Sequence, residues 1–176
     1  MADVTRFHLG QPIPSDTIAL VPPPGALPFD LERRSYADAV GRALAGAGFR
    51  PVENDGRSAY IGVMTIDQTT RAGLPQASPF RIGIGGGGYS GGVGLGGGIS
   101  LPVGQSRRND IRMNLLALQI KRRSDNTLVW EGRAVQEIAA DAPASSLSAA
   151  VPVLARVLLA GFPGPTGQTV RVKTGQ

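Results

Sequence analysis

Apolar positions recur along this chain in two rhythms, one near 3.6 residues and one of two, and each predicts its own elements. The helical rhythm is clearest at Tyr36, Val40, Ala43, Leu44 and Ala47, with Arg34, Asp38 and Arg42 on the other face. Ser35 or Asp30 can cap its start, and Gly46 and Gly48 stop it. A second helix is predicted from about Ser148 to Ala160 on the stripe Val151, Leu154, Val157 and Leu158. Pro152 fits there only near the first turn or as a kink, and Phe162-Pro163-Gly164-Pro165 ends the helix.

The rhythm of two begins with short runs at Thr5–Leu9 and Thr17–Val21, set apart by Gly10 and Pro12-Ile13-Pro14. Pro22-Pro23-Pro24-Gly25 closes the second run. Phe49–Glu53 leads into a turn at Asn54-Asp55-Gly56, and Ala59–Thr70 reads as a long strand. Ile61, Val63 and Thr65 share one face of it and Tyr60, Met64 and Ile66 the other, which predicts a central strand covered on both sides. The strongest strand signal is a hairpin, Ile111–Lys121 and Thr127–Ala139, whose turn contains Ser124-Asp125-Asn126. Leu128, Trp130, Gly132, Ala134 and Ile138 share one face of the returning arm, while Glu131, Arg133 and Glu137 share a wetter one. The tail, residues 164–176, either stays loose or adds a strand at Gln168–Val172. These elements predict one domain over residues 1–176 with an α+β fold: a twisted, largely antiparallel sheet of about five or six strands, two packed helices and a glycine-rich hairpin insert.

That insert changes the functional picture. Eleven of the sixteen residues from Gly83 to Gly98 are glycine, and Gly83, Gly85 and Gly88 satisfy the spacing of a dinucleotide-binding loop. Such a loop must open a helix whose N-terminus holds the pyrophosphate. Here Val93, Leu95, Ile99, Leu101 and Val103 continue in an extended, alternating pattern. A flexible flap over residues 83–104 is predicted instead, with Phe80–Ile84 and Ile99–Val103 as its arms. Tyr89 is the one large side chain among the glycines, and either makes the flap's contacts or merely closes a hairpin tip. Together with Arg107 and Arg108 it forms the candidate contact surface.

Composition removes whole classes of chemistry. There is no cysteine, hence no disulfide, thiolate nucleophile or cysteine-held metal, and His8 is the single histidine, too few for a histidine-based zinc site. No cofactor and no metal are expected. His8 lies in the short run Phe7-His8-Leu9, where a hydrogen-bonded structural role is expected over general-base chemistry. Glu131, Arg133 and Glu137 read as a cross-strand charge ladder, and no spacing singles out a catalytic carboxylate pair. Trp130, the only tryptophan, is expected in the core against one of the helices. The net charge is +5, carried by 18 basic residues of which only Lys121 and Lys173 are lysine. Those charges are scattered and aromatics make up 5%, so solvated surface is predicted and nucleic acid is not. No run of about eighteen apolar residues predicts a membrane span, and no secretion signal is present. The start Met1-Ala2-Asp3 reads like an expression start placed on a mature domain.

Three segments in order carry a family resemblance: YADAVGRALAGAGF leading to the strand SAYIGVMTID, a glycine-rich insert, and a hairpin ending LVWEGRA. The closing helix AVPVLARVLLAGFP completes it. Over roughly residues 35–163 the chain resembles a bacterial envelope lipoprotein family, the domain of unknown function numbered 4136. The resemblance implies a secreted lipoprotein, held at the outer membrane from the periplasmic side by a lipidated cysteine upstream of this sequence. It implies no enzymatic residues. The expected role is therefore non-enzymatic: binding or helping to assemble another envelope component, an unidentified envelope protein or lipid. The alternative is a lipid- or small-molecule-binding domain gated by the glycine-rich flap.

Overall fold

The computed structural model describes residues 1–73 and 110–175. Its elements in chain order are β1 (Ala2–His8), β2 (Thr17–Val21), α1 (Leu31–Gly46), β3 (Arg50–Pro51), β4 (Tyr60–Arg71), β5 (Ile111–Arg122) and β6 (Leu128–Ala139). A 3-10 turn (Pro143–Ser145), α2 (Leu147–Leu159) and β7 (Gln168–Val172) complete the fold. The strands form one sheet in the order β3-β2-β4-β5-β6-β1-β7. Among the described residues parallel pairing is confined to β2 with β3 and β4, and the other pairings are antiparallel. The α+β class and antiparallel bias therefore hold, but among the described residues the sheet has seven strands rather than five or six. The tail supplies β7, and β3 is a two-residue edge strand too short to produce an alternating pattern. Pro51, which has no N–H to donate, is tolerated because its nitrogen falls on the open side of this edge strand, while the Arg50 and Val52 amides donate to β2 and to Asp16 just before it. The glycine-rich segment, including the predicted arms Phe80–Ile84 and Ile99–Val103, lies outside the described residues.

Both helices pack on one face of the sheet. Tyr36, Val40 and Leu44 of α1 and Val151, Leu154 and Leu158 of α2 join Val4, Ile18, Met64, Leu116, Leu118, Ile120 and Trp130 in one core. The opposite face of β4 carries Val63, nearly buried, and Thr65, exposed, with no helix over it among the described residues. Cover was expected on both faces of β4; among the described residues helices lie over one face only, although Val63 on the other face is 8% exposed.

Each helix starts where its cap is. Asp30 accepts from the Arg33 amide at 2.8 Å, which decides between the two caps that the pattern allowed for α1. Ser146 accepts from the Ala149 amide at 3.4 Å at the head of α2. Pro152 sits inside α2 and removes one helical hydrogen bond, but the carbonyl left over belongs to exposed Ser148, where water can satisfy it. The LVWEGRA segment has a packing logic. Trp130 is 1% exposed, and a side chain at Gly132 would collide with its ring and come within 2.8 Å of Leu158. Glycine thus lets the indole lie flat along β6 beneath α2, as expected for a core tryptophan.

Candidate functional site

A cleft of about 350 Å³ opens where the two helices begin. It is built by Glu32, Ser35 and Tyr36 of α1, Gln68 of β4, Arg112 of β5, and Ser146 and Ser148 at the head of α2. These residues meet because β4 and β5 pair with Gln68 opposite Asn114, and both helices start above that level of the sheet. The floor is a buried polar set. The Ser145 carbonyl, turned onto the sheet by the 3-10 turn, accepts from Gln68 Nε2 and from Asn114 Nδ2, each at 3.1 Å. Gln68 Nε2 also donates to Asn114 Oδ1 at 2.6 Å. Ser145 Oγ accepts from Arg112 Nη1 at 3.1 Å and donates to the Ala140 carbonyl at 2.9 Å. Asn114 is fully buried, so these bonds are what make a polar side chain affordable there.

On the opposite wall the Tyr36 hydroxyl donates to Glu32 Oε1. Burial first, and then this carboxylate, push the Tyr36 phenol up to about 12. Tyr36 is thus a fixed hydrogen-bond donor across the physiological range and cannot serve as a base. The first turn of α2 contains no acidic residue; Ser146 Oγ accepts from the Ala149 amide there and lies 3.1 Å from Ser148 Oγ. The cleft can therefore hold a small polar group by hydrogen bonds. Its side chains are bonded to the scaffold and form no relay of nucleophile, base and orienting group.

The residues singled out from sequence fall elsewhere. Tyr89, Arg107 and Arg108 lie outside the described residues. His8 is at the far end of the sheet, where Nδ1 accepts from the Gly10 amide at 3.0 Å and Nε2 donates to the Gly164 carbonyl at 2.8 Å. Both ring nitrogens are held by backbone, a structural role. Glu131 accepts from Gln119 Nε2 at 3.3 Å and Glu137 lies 3.9 Å from Arg71, so these charges reach across to β5 and β4. Among the described residues no group of three or more acidic, histidine or cysteine side chains could hold a metal. Likewise among them, no helix is long and apolar enough to cross a membrane.

The pattern missed Arg6. It is 6% exposed, and its guanidinium donates to the carbonyls of Leu158 (Nε, 2.8 Å), Val157 (Nη2, 2.8 Å) and Ala160 (Nη2, 3.2 Å). Burial lowers its pKa below the ordinary arginine value, yet it still caps the negative end of α2 as a cation. A signal was available, since Arg6 shares the phase of Ala2 and Val4 on the buried face of β1.

The fold defines a mixed seven-stranded α+β domain with both helices on one face. Residues 17–164 match the protein-family model described as Domain of unknown function (DUF4136), and the chain belongs to that family. An uncharacterized protein of Zymomonas mobilis subsp. mobilis is 28% identical, over 97% of this chain and 80% of the relative. Among solved structures, a PDZ domain protein from Parabacteroides distasonis is similar with a TM-score of 0.50 at 9% identity, covering 97% of this chain and 38% of that one. PelC from Paraburkholderia phytofirmans, solved as a dodecamer, gives 0.48 at 10% identity over 90% and 95% of the two chains. At 9% identity the likeness to the PDZ domain protein is one of fold.

Proposed function

We propose that this chain is the non-enzymatic domain of a lipoprotein, tethered to the outer membrane from the periplasmic side, which binds another envelope component through the cleft at the helix starts. The envelope setting is carried by the sequence resemblance alone, since the family model is described only as a domain of unknown function. The binding half rests on one observation. Polar side chains from four separate elements line the cleft, and the hydrogen bonds beneath them fix their positions before any partner arrives. The same bonds support a non-enzymatic role, because Glu32, Gln68 and Arg112 are each bonded to neighbours or backbone instead of to one another as an acid–base pair.

Photo-crosslinking in intact cells tests the binding. A photoreactive residue at Ser35 or Ser148 should form an adduct with an envelope component, and one at Leu9, at the far end, should not. Equal adducts at all three positions, or none at Ser35 and Ser148, refute the reading. The tether is tested separately, by feeding radiolabelled fatty acid to cells that express the full-length gene. An unlabelled, cytosolic product refutes it.

A further inference from the structure

The two most exposed large apolar side chains among the described residues are Leu27, 86% exposed, and Leu31, 84% exposed. Exposed leucines are common singly, but these two are four residues apart where the chain enters α1, and that entry forms one corner of exposed apolar surface. Leu31 is the first residue of α1 and lies on its solvent stripe with Ser35, Asp38 and Arg42, where nothing in helix packing calls for a leucine. Phe29 between them turns inward and packs against the core, which anchors the corner. The charges interleaved with the leucines cancel: Asp30 pairs with Arg33 at 3.5 Å, and Glu32 and Arg34 carry opposite signs. The corner therefore offers apolar surface with no net charge.

Its position is set by the register. Asp3 lies opposite Val135, Val135 opposite Leu115, and Leu115 opposite Asp67. The first residues of β1 thus leave the sheet level with Asp67 and Gln68, at the end where Glu32, the neighbour of Leu31, lines the cleft. Leu9 and Leu128 are at the other end, beyond the pairing of His8 with Trp130. A tether running upstream from Ala2 brings the Leu27–Leu31 corner to the surface that holds the tether, and turns Leu9 away from it.

We propose that Leu27 and Leu31 insert into the interfacial layer of the phospholipid bilayer and orient the domain on it. This rests on the tethered reading above. Two leucines are too little apolar surface for lasting membrane binding alone, and a tether that raises the local concentration makes the contact count. Because the corner has no net charge, the contact should depend little on salt or on anionic lipid.

The cysteine-free sequence permits a direct test. Single variants Leu27→Cys, Leu31→Cys and Leu9→Cys are labelled with an environment-sensitive fluorophore. Each is held by an N-terminal hexahistidine on phosphatidylcholine vesicles that contain nickel-chelating lipid and a nitroxide-labelled lipid. Quenching at Leu27 and Leu31 but not at Leu9, unchanged by added salt or phosphatidylglycerol, supports the proposal. Equal quenching at the three sites, none at Leu27 and Leu31, or quenching abolished by salt overturns it. The unlabelled Leu27→Ser/Leu31→Ser chain should fold normally, since both side chains are exposed, yet under imidazole competition partition onto the same nickel-bearing vesicles about tenfold more weakly than the parent chain. Unchanged partitioning counts against the proposal. The tether here is artificial, so a native protein that takes up no fatty acid would refute the tethered reading without altering this result.

Discussion

At the C-terminal end of α2, the polar groups nearby are bonded to backbone inside the fold. Arg6 takes three helix-end carbonyls, Trp130 Nε1 donates to the Pro163 carbonyl at 2.9 Å, and His8 bridges Gly10 and Gly164. At the N-terminal end the helix opens onto a cleft, and polar side chains line it above a bonded floor. The same 13-residue helix is thus sealed at one end and solvent-facing at the other. Where polar atoms are enclosed, they serve stability and their loss is costly; where they face water, they are free to serve recognition at little cost. Substitutions at the two ends should separate these effects.

The largest effect is expected at the sealed end. Trp130→Ala empties the space between β6 and α2 and should cost about 3 to 5 kcal/mol, read as a lower denaturation midpoint. A native tryptophan emission that is red-shifted and quenchable by solvent would contradict its enclosure. Arg6→Met keeps the length of the stem but strips the α2 carbonyls of their donors, and about 3 kcal/mol should be lost. Arg6→Lys should recover only part of this, because one ammonium cannot match the planar fork that reaches Val157, Leu158 and Ala160.

At the cleft, Tyr36→Phe should cost about 1 kcal/mol, the net worth of one hydrogen bond. The pH dependence is more telling. The folded phenol is pushed up to about 12 from an ordinary 10.0, so the folded state keeps its proton where the unfolded state has lost it. The associated stability is full below pH 10.0 and falls away as pH rises towards about 12. Tyr60, raised by burial, acts in the same direction, so the variant should flatten this alkaline limb without removing it. Denaturant titrations on either side of that window would reveal an unchanged limb, and with it a Tyr36 that is not held as described.

The contrast between the ends also explains what the sequence could reveal. Both helices and the β5–β6 hairpin announce themselves because their signals are local: a 3.6-residue stripe behind Asp30 or before Phe162-Pro163, and an alternating run on either side of Ser124-Asp125-Asn126. Edge strand β3 carries no such pattern, since two residues paired on one side need no alternation, whereas β7 takes the strand option, Gln168–Val172, that the tail left open beside a loose end. Trp130 was legible as core because large aromatics bury wherever they can. Arg6 was legible only in its phase on β1; its role was not, since its partners are carbonyls that a helix end about 150 residues away leaves over. The cleft was hidden for the same reason. Glu32, Gln68, Arg112 and Ser146 come together only through strand register and helix placement, and none has a sequence neighbour that hints at the others. The contact surface drawn from sequence, Tyr89 with Arg107 and Arg108, falls on the segment outside the described residues.

The smallest effect is expected on the sheet face opposite the helices. Glu137 lies 3.9 Å from Arg71, and their side chains are 58% and 75% exposed. In water such a pair gains little Coulomb energy and gives up side-chain freedom, so Glu137→Gln should change stability by less than about 0.5 kcal/mol. Added salt should leave even that difference unresolved, because exposed charges are screened. A charge ladder that merely faces solvent behaves in this way. A carboxylate with a catalytic or a buried partner would not: its loss would cost several times more, and the cost would persist in salt. A large, salt-resistant loss at Glu137 would therefore place an unrecognised site on the open face and overturn the assignment of recognition to the cleft end.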